Sequence, residues 1–195
     1  MDLRQRRKLE TTKLIREAAI GLARDNGVQT VTVEAICEAA GISQRTFFNY
    51  FPFKEAALVL PPPPLPPEAV ARFVSGNADL VADLIDLMVA QVTEMNGSRW
   101  IGKLMREVTQ AYPLLIPLQM AEFHKFELQL QALVAGRLRV SPDNVRCLAL
   151  AGAVIGAVRA TFDRWRDDDQ ADLPLLVRES LESLVETIRF PSLKS

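Results

Sequence analysis

At 195 residues, with 49% hydrophobic and 24% charged side chains, the chain can bury one ample core or two smaller ones, which excludes a disordered or low-complexity protein. A formal net charge of −1 argues against a protein that coats nucleic acid over its whole surface. The charge is unevenly placed, +2 over residues 1–60 and −3 over the remainder, so an anionic partner belongs with the first part.

Nine glycines against abundant Ala and Leu favour helix over sheet, and the expected fold class is all-α. The start is basic: Arg4, Arg6, Arg7, Lys8, Lys13 and Arg16 face only Asp2, Glu10 and Glu17. The arm Arg4 to Lys8 reads either as a disordered tail or as a reach into an adjacent minor groove of DNA. Thr11 or Thr12 caps a first helix through about Asp25, with Leu14, Ile15, Ala18, Ala19 and Leu22 on one face. Asn26-Gly27 ends it. Thr32 caps a second helix, Val33 to Ala40, that buries Val33, Ile36 and Cys37. Gly41 turns the chain, Ser43 caps a third helix, Pro52 closes that helix, and a fourth begins at Lys54.

Six prolines in residues 61–67 cannot be α-helix and read as an extended spacer between a head, residues 1–60, and a body, residues 68–195. In the body, helices are expected at about Glu68–Val74, Ala78–Met95, Ser98–Ala111, Pro113–Arg139, Pro142–Arg166 and Leu173–Phe190, with Ser141-Pro142 as a helix start. Cys37 and Cys147 lie far apart in apolar helical patterns and read as reduced, buried side chains. The longest apolar run, Cys147 to Val158, lies between Arg146 and Arg159 and is shorter than the about 20 residues a bilayer requires. The charged N-terminus is unlike a signal peptide, so no membrane partner and a cytoplasmic location are expected.

Helix, glycine turn and helix within about residues 33–52 have the spacing of a helix-turn-helix. Ile42, Phe47 and Phe51 are spaced to anchor the second of these helices, which leaves Ser43, Gln44, Arg45, Thr46, Asn49 and Tyr50 outward. Arginine can pair with guanine O6/N7, and Gln or Asn with adenine N6/N7, so this face suits base reading in double-stranded DNA. The hydroxyls of Thr46 and Tyr50, the Lys54 ammonium and the capped helix start at Thr32 suit phosphate oxygens.

The run Thr30 to Ile36, then Ala39 to Pro52 and Lys54-Glu55-Ala56, closely resembles the N-terminal domain of TetR/AcrR-type regulators, over residues 8 to about 60. The resemblance implies a three-helix DNA-binding head and a helical ligand-binding and dimerisation body. It also implies a homodimeric repressor that leaves a palindromic operator when a small-molecule effector enters the body. By position it puts Thr32, Thr46, Tyr50 and Lys54 on phosphates, and Gln44, Arg45 and Asn49 nearest the bases. Phe53 departs from the family's usual small polar residue, Cys37 from a common alanine, and the prolines from a long fourth helix.

Ala149, Gly152, Ala153 and Gly156 give one body helix a stripe of small residues that would let a second copy approach closely, and Val177, Leu181, Leu184 and Ile188 add an apolar seam on the last helix. Trp100, Met105 and Phe123 are candidates for an apolar effector pocket, with His124 and Arg159 as its polar anchors, although the same residues could fill a core. One histidine, no metal-ligand cluster, no phosphate-binding glycine loop and no Gly-x-Ser-x-Gly leave no catalytic set, metal site or cofactor to expect. The alternative is a protein-partnered or architectural helix-turn-helix DNA binder with no small-molecule effector.

Overall fold

The computed structural model describes residues 3–77, 79–93, 95, 99–168 and 170–189, and at Gln5 and Arg189 the backbone alone. Among them are nine α-helices and no strand. The helices are α1 (Leu3–Asn26), α2 (Val33–Ala40), α3 (Gln44–Phe48), α4 (Pro67–Ser75), α5 (Leu80–Thr93), α6 (Arg99–Ala111), α7 (Ile116–Leu138), α8 (Val145–Asp167) and α9 (Leu173–Arg189). The chain divides into two compact units, Met1–Pro61 with Trp100–Glu122, and Pro62–Arg99 with Phe123–Ser195.

In the first unit, α1 buries Ile15, Ala19, Ile20 and Ala23 against α2 and the segment after α3. The helix begins at Leu3, well before the expected threonine cap. Thr12 does not cap; its hydroxyl donates to the Lys8 carbonyl one turn back, which any mid-helix threonine can do. The residues expected to form a loose arm are therefore helical. Gly27 at φ 87° turns the chain out of α1. The apolar core of this unit joins Ile15, Ile36, Phe47, Phe51 and Leu58 to Leu104, Val108 and Leu115. A head boundary at residue 60 thus leaves out part of the head's own core. Arg16 turns inward as well, with its guanidinium 5.7 Å from the Phe51 ring centroid and 3.4 Å from Glu122.

The second unit packs α9 against both α5 and α8, and α4 against α5. Leu84, Leu87, Met88 and Val92 of α5 recur at helical spacing and meet Leu130, Val134, Ala151, Val154, Trp165 and Leu173 in one core. Gln91 falls in the same buried row, where its amide donates to the Pro63 carbonyl at 2.8 Å. Leu65 is buried in that core too. The proline run is therefore packed, not a free spacer, because the carbonyls of an extended chain remain open to a side-chain donor. Arg137 of α7 donates to the Phe73 carbonyl and to Asp83, and its guanidinium lies 5.5 Å from the Phe73 ring centroid.

Ser141-Pro142 forms a turn, and Asn144 caps α8 by accepting from the Arg146 amide at 3.0 Å. Phe190 lies outside the described residues. Among the described helices, α8 alone is long and apolar enough, by length and composition, to cross a membrane. Its Cys147, Ala151, Val154, Val158 and Trp165 row is buried in the core of the second unit. Cys37 and Cys147 are both free thiols and buried.

Candidate nucleic-acid interface

Three short-range devices set the recognition geometry. Thr32 Oγ1 accepts from the Ala35 amide at 3.1 Å and starts α2. Gly41 takes the left-handed conformation, φ 63° and ψ 35°, and its amide bonds back to the end of α2. Ser43 Oγ then accepts from the Thr46 amide at 3.0 Å and starts α3. The turn between the helices is thus closed at both ends by hydrogen bonds spanning a few residues.

The helix so started has five residues and ends at Phe48, short of the Pro52 expected to close it. Asn49 N–H is shared between the carbonyls of Arg45 and Thr46, and Tyr50 N–H reaches Phe47 at 2.9 Å, so the last turn tightens. Asn49 keeps right-handed helical torsions, so it continues the helical path of Arg45. Phe47 is fully buried and Phe51 nearly so, with ring centroids 5.7 Å apart. Burying Phe47 contributes about 1.5–3 kcal/mol, enough to hold so short a helix that would not form alone. Ile42 is partly buried against the same core, as is Phe53. The aromatic side chain at 53 therefore packs inward rather than facing a ligand.

Around this anchor, Ser43, Gln44, Arg45 and Asn49 are exposed, and Thr46 and Tyr50 are half-buried at the edge. Gln44 Nε2 donates to Glu34 Oε1 at 3.1 Å. Glu34 was not among the expected site residues; its position two residues after a cap, on the open side of α2, is the signal that could have found it. Ser43 Oγ and Thr46 Oγ1 lie 2.9 Å apart, so the two hydroxyls share one proton-donating direction. Lys54 Nζ donates to the Val31 carbonyl at 2.6 Å and lies 4.0 Å from Glu55, with the side chain 28% exposed. Its ammonium ties the segment after α3 to the entry of α2 and keeps donors to spare. Burial pushes the Cys37 thiol above its ordinary range, and the nearby Glu34 carboxylate adds to the effect.

Beside the same face, Leu3, Arg4, Arg7 and Lys8 of α1 line an open groove of about 610 Å³ together with Asn49 and Tyr50.

The other expected residues are scattered. Trp100 and Met105 belong to the first unit, where Trp100 packs on its core under the Arg24 guanidinium at 5.5 Å. Phe123, His124 and Arg159 belong to the second. His124 is exposed with Nδ1 3.7 Å from Glu127, and Arg159 is exposed on α8. These five are not gathered within either unit. Of the expected interface residues, Ala149, Ala153, Gly156 and Ile188 are exposed, and Gly152 and Leu184 are partly so. Val177 and Leu181 do not face outward. They are buried in the chain's own core, because α9 turns that row toward α5 and α8. A second groove, about 390 Å³, runs along α8 and α9 between Ala160, Arg164, Leu176 and Ser183.

Residues 15–59 match the family model described as "Bacterial regulatory proteins, tetR family", and residues 107–189 match the one described as "MftR C-terminal domain". Among solved structures the chain is similar to FadR of Thermus thermophilus, described as a TetR family transcriptional repressor in complex with lauroyl-CoA. The identity is 22%, over 94% of this chain and 98% of that one, with a TM-score of 0.46. Comparison with curated proteins gives no match.

Proposed function

Because this chain belongs to the TetR family of bacterial regulatory proteins, and is therefore a DNA-binding transcriptional regulator and not an enzyme, we propose that it works as a cytoplasmic, homodimeric repressor that a small molecule releases from a palindromic operator. The observation that carries this reading is the exposed edge of Gln44, Arg45 and Asn49 on a helix pinned from behind by Phe47 and Phe51. Arg45 and Asn49, one turn apart, read base edges, while Thr32, Ser43, Thr46, Tyr50 and Lys54 hold phosphates on either side. Two copies related by a dyad would set two such edges about 34 Å apart, one turn of the duplex. The exposed small side chains of α8, at Ala149, Ala153 and Gly156, support close approach of a second subunit there. An effector that favours a body conformation with a different head separation lowers DNA affinity by linkage.

One observation favours the alternative of a binder without an effector: His124 and Arg159, the expected polar anchors of the pocket, stand exposed. Selection of bound duplexes from a random pool by the full-length protein tests the first half of the proposal. Two inverted half-sites are expected, and a lone asymmetric site would count against the dimer. A thermal-shift panel of metabolites and drugs, followed by release assays on the selected duplex, tests the second half. If no compound shifts the protein or releases the DNA, the alternative takes its place.

A further inference from the structure

The first three turns of α1 lie ahead of residue 15, where the match to the tetR family model begins. They carry Arg4, Arg7 and Lys8 at spacings of three and four residues, which puts all three on one helical face. That face opens onto the groove shared with Asn49 and Tyr50, at the end of the presented helix. Among the described residues, no carboxylate pairs with Arg4, Arg7 or Lys8, and the first turn of α1 contains no acidic residue. Cations at the start of a helix oppose its dipole, so helix stability does not account for them. The side chains are exposed on a helix, not on a loose arm, which sets where their charge can be delivered.

We propose that the Arg4, Arg7 and Lys8 face of α1 is a second phosphate-binding surface, which grips the DNA backbone beside the bases read by Asn49. The inference rests on the DNA-binding role of the head. The occupant is a phosphate backbone and not a base edge: the groove is open, and the cations line it along one face of the helix. Tyr50, half-buried between this groove and the core, contributes its hydroxyl to the same phosphates. The three side chains add affinity for any sequence and lengthen the footprint on one side of each half-site.

The test uses full-length protein and two duplexes of 30 base pairs, one selected from the random pool and one of scrambled sequence. Affinity is measured across a range of salt concentrations for wild type, for the triple variant R4A/R7A/K8A, for the charge-preserving R4K/R7K, and for R6A, which lies outside the groove. Each lost phosphate contact removes about 0.9 from the slope of log affinity against log salt, so the triple variant should lose two to three units per head on both duplexes. R4K/R7K should keep the wild-type slope, since lysine still binds phosphate as a point charge. R6A should stay close to wild type. Circular dichroism and thermal melting confirm that these surface changes leave the fold intact. An unchanged slope in the triple variant would overturn the proposal. So would a loss confined to the selected duplex, which would mean base reading. If wild type selects no duplex from the pool and does not bind the scrambled one, the DNA-binding role itself falls, an outcome distinct from either of these.

Discussion

Gln44 Nε2 donates to Glu34 Oε1 at 3.1 Å, so the first residue of the presented helix is held by a carboxylate from the first turn of α2. A glutamine held in this way presents its remaining amide groups in a fixed direction and loses less rotamer entropy when it meets a base. The same carboxylate adds a negative charge to a face meant for a polyanion. By the proposed DNA-reading role of this face, Glu34 gives up some affinity in exchange for a defined Gln44.

This relationship predicts the behaviour of two variants. Gln44→Ala should cost about 1–3 kcal/mol of discrimination at the base it reads. Glu34→Ala should blur preference at the same base positions, and should strengthen binding to scrambled DNA by removing a like charge. Selection from a random pool with each variant checks this. Preferences altered at unrelated positions would break the link between the two residues.

Lys54 has one observed contact and one proposed function, which a salt titration and a melting curve can separate. Its ammonium donates to the Val31 carbonyl at 2.6 Å and, by proposal, to a phosphate. Lys54→Ala should flatten the salt dependence by about one unit for all sequences. It should also lower stability by about 1 kcal/mol, through the lost hydrogen bond. Arg45→Ala, at an exposed position, should relax base preference and leave the melting midpoint near wild type.

Gly156 offers a clean test of the subunit interface. A Cβ added there meets nothing within 4 Å in the single chain, so the subunit itself tolerates a side chain. Gly156→Leu should therefore fold normally, yet push a second copy of α8 away. Light scattering after size exclusion should show a shift from dimer to monomer and a weaker operator complex. A variant that remains a full-strength dimer would place the interface elsewhere.

Gly76 marks a tight spot in the second unit. A Cβ there would fall 2.5 Å from Asp83 Oδ2 and closer still to Arg137 Nη1. Arg137 cannot swing aside cheaply, since it is held at once by the Phe73 carbonyl, the Phe73 ring and Asp83. Gly76→Ala should cost about 1–3 kcal/mol by overpacking. Chemical denaturation measures it, and a neutral result would mean that the Arg137 pair repacks freely.

How much was legible in the sequence depended on the range of the interaction. The caps at Thr32 and Ser43 and the turn at Gly41 were readable because each is closed by a bond spanning about three residues. The length of α3 was not, since it is decided by whether Asn49 and Tyr50 bond three or four residues back. Thr12 and Ser141 looked like caps and are not. A threonine hydroxyl can bond within a helix as well as start one, and Asn144 lay close enough to cap α8 in place of Ser141.

By itself, the sequence determined an all-helical chain, a helix-turn-helix near its start, the aromatic anchor and the polar edge, because periodicity and capping are local properties. The tertiary structure decided which apolar face meets which. It brought Leu104, Val108 and Leu115 into the head core, turned Val177 and Leu181 into their own subunit, and packed Leu65 and Pro63 against α5 and its neighbours. A hydrophobic stripe announces that it will be buried. It carries no label for its partner, which is chosen only when the helices compete for the same water-free space.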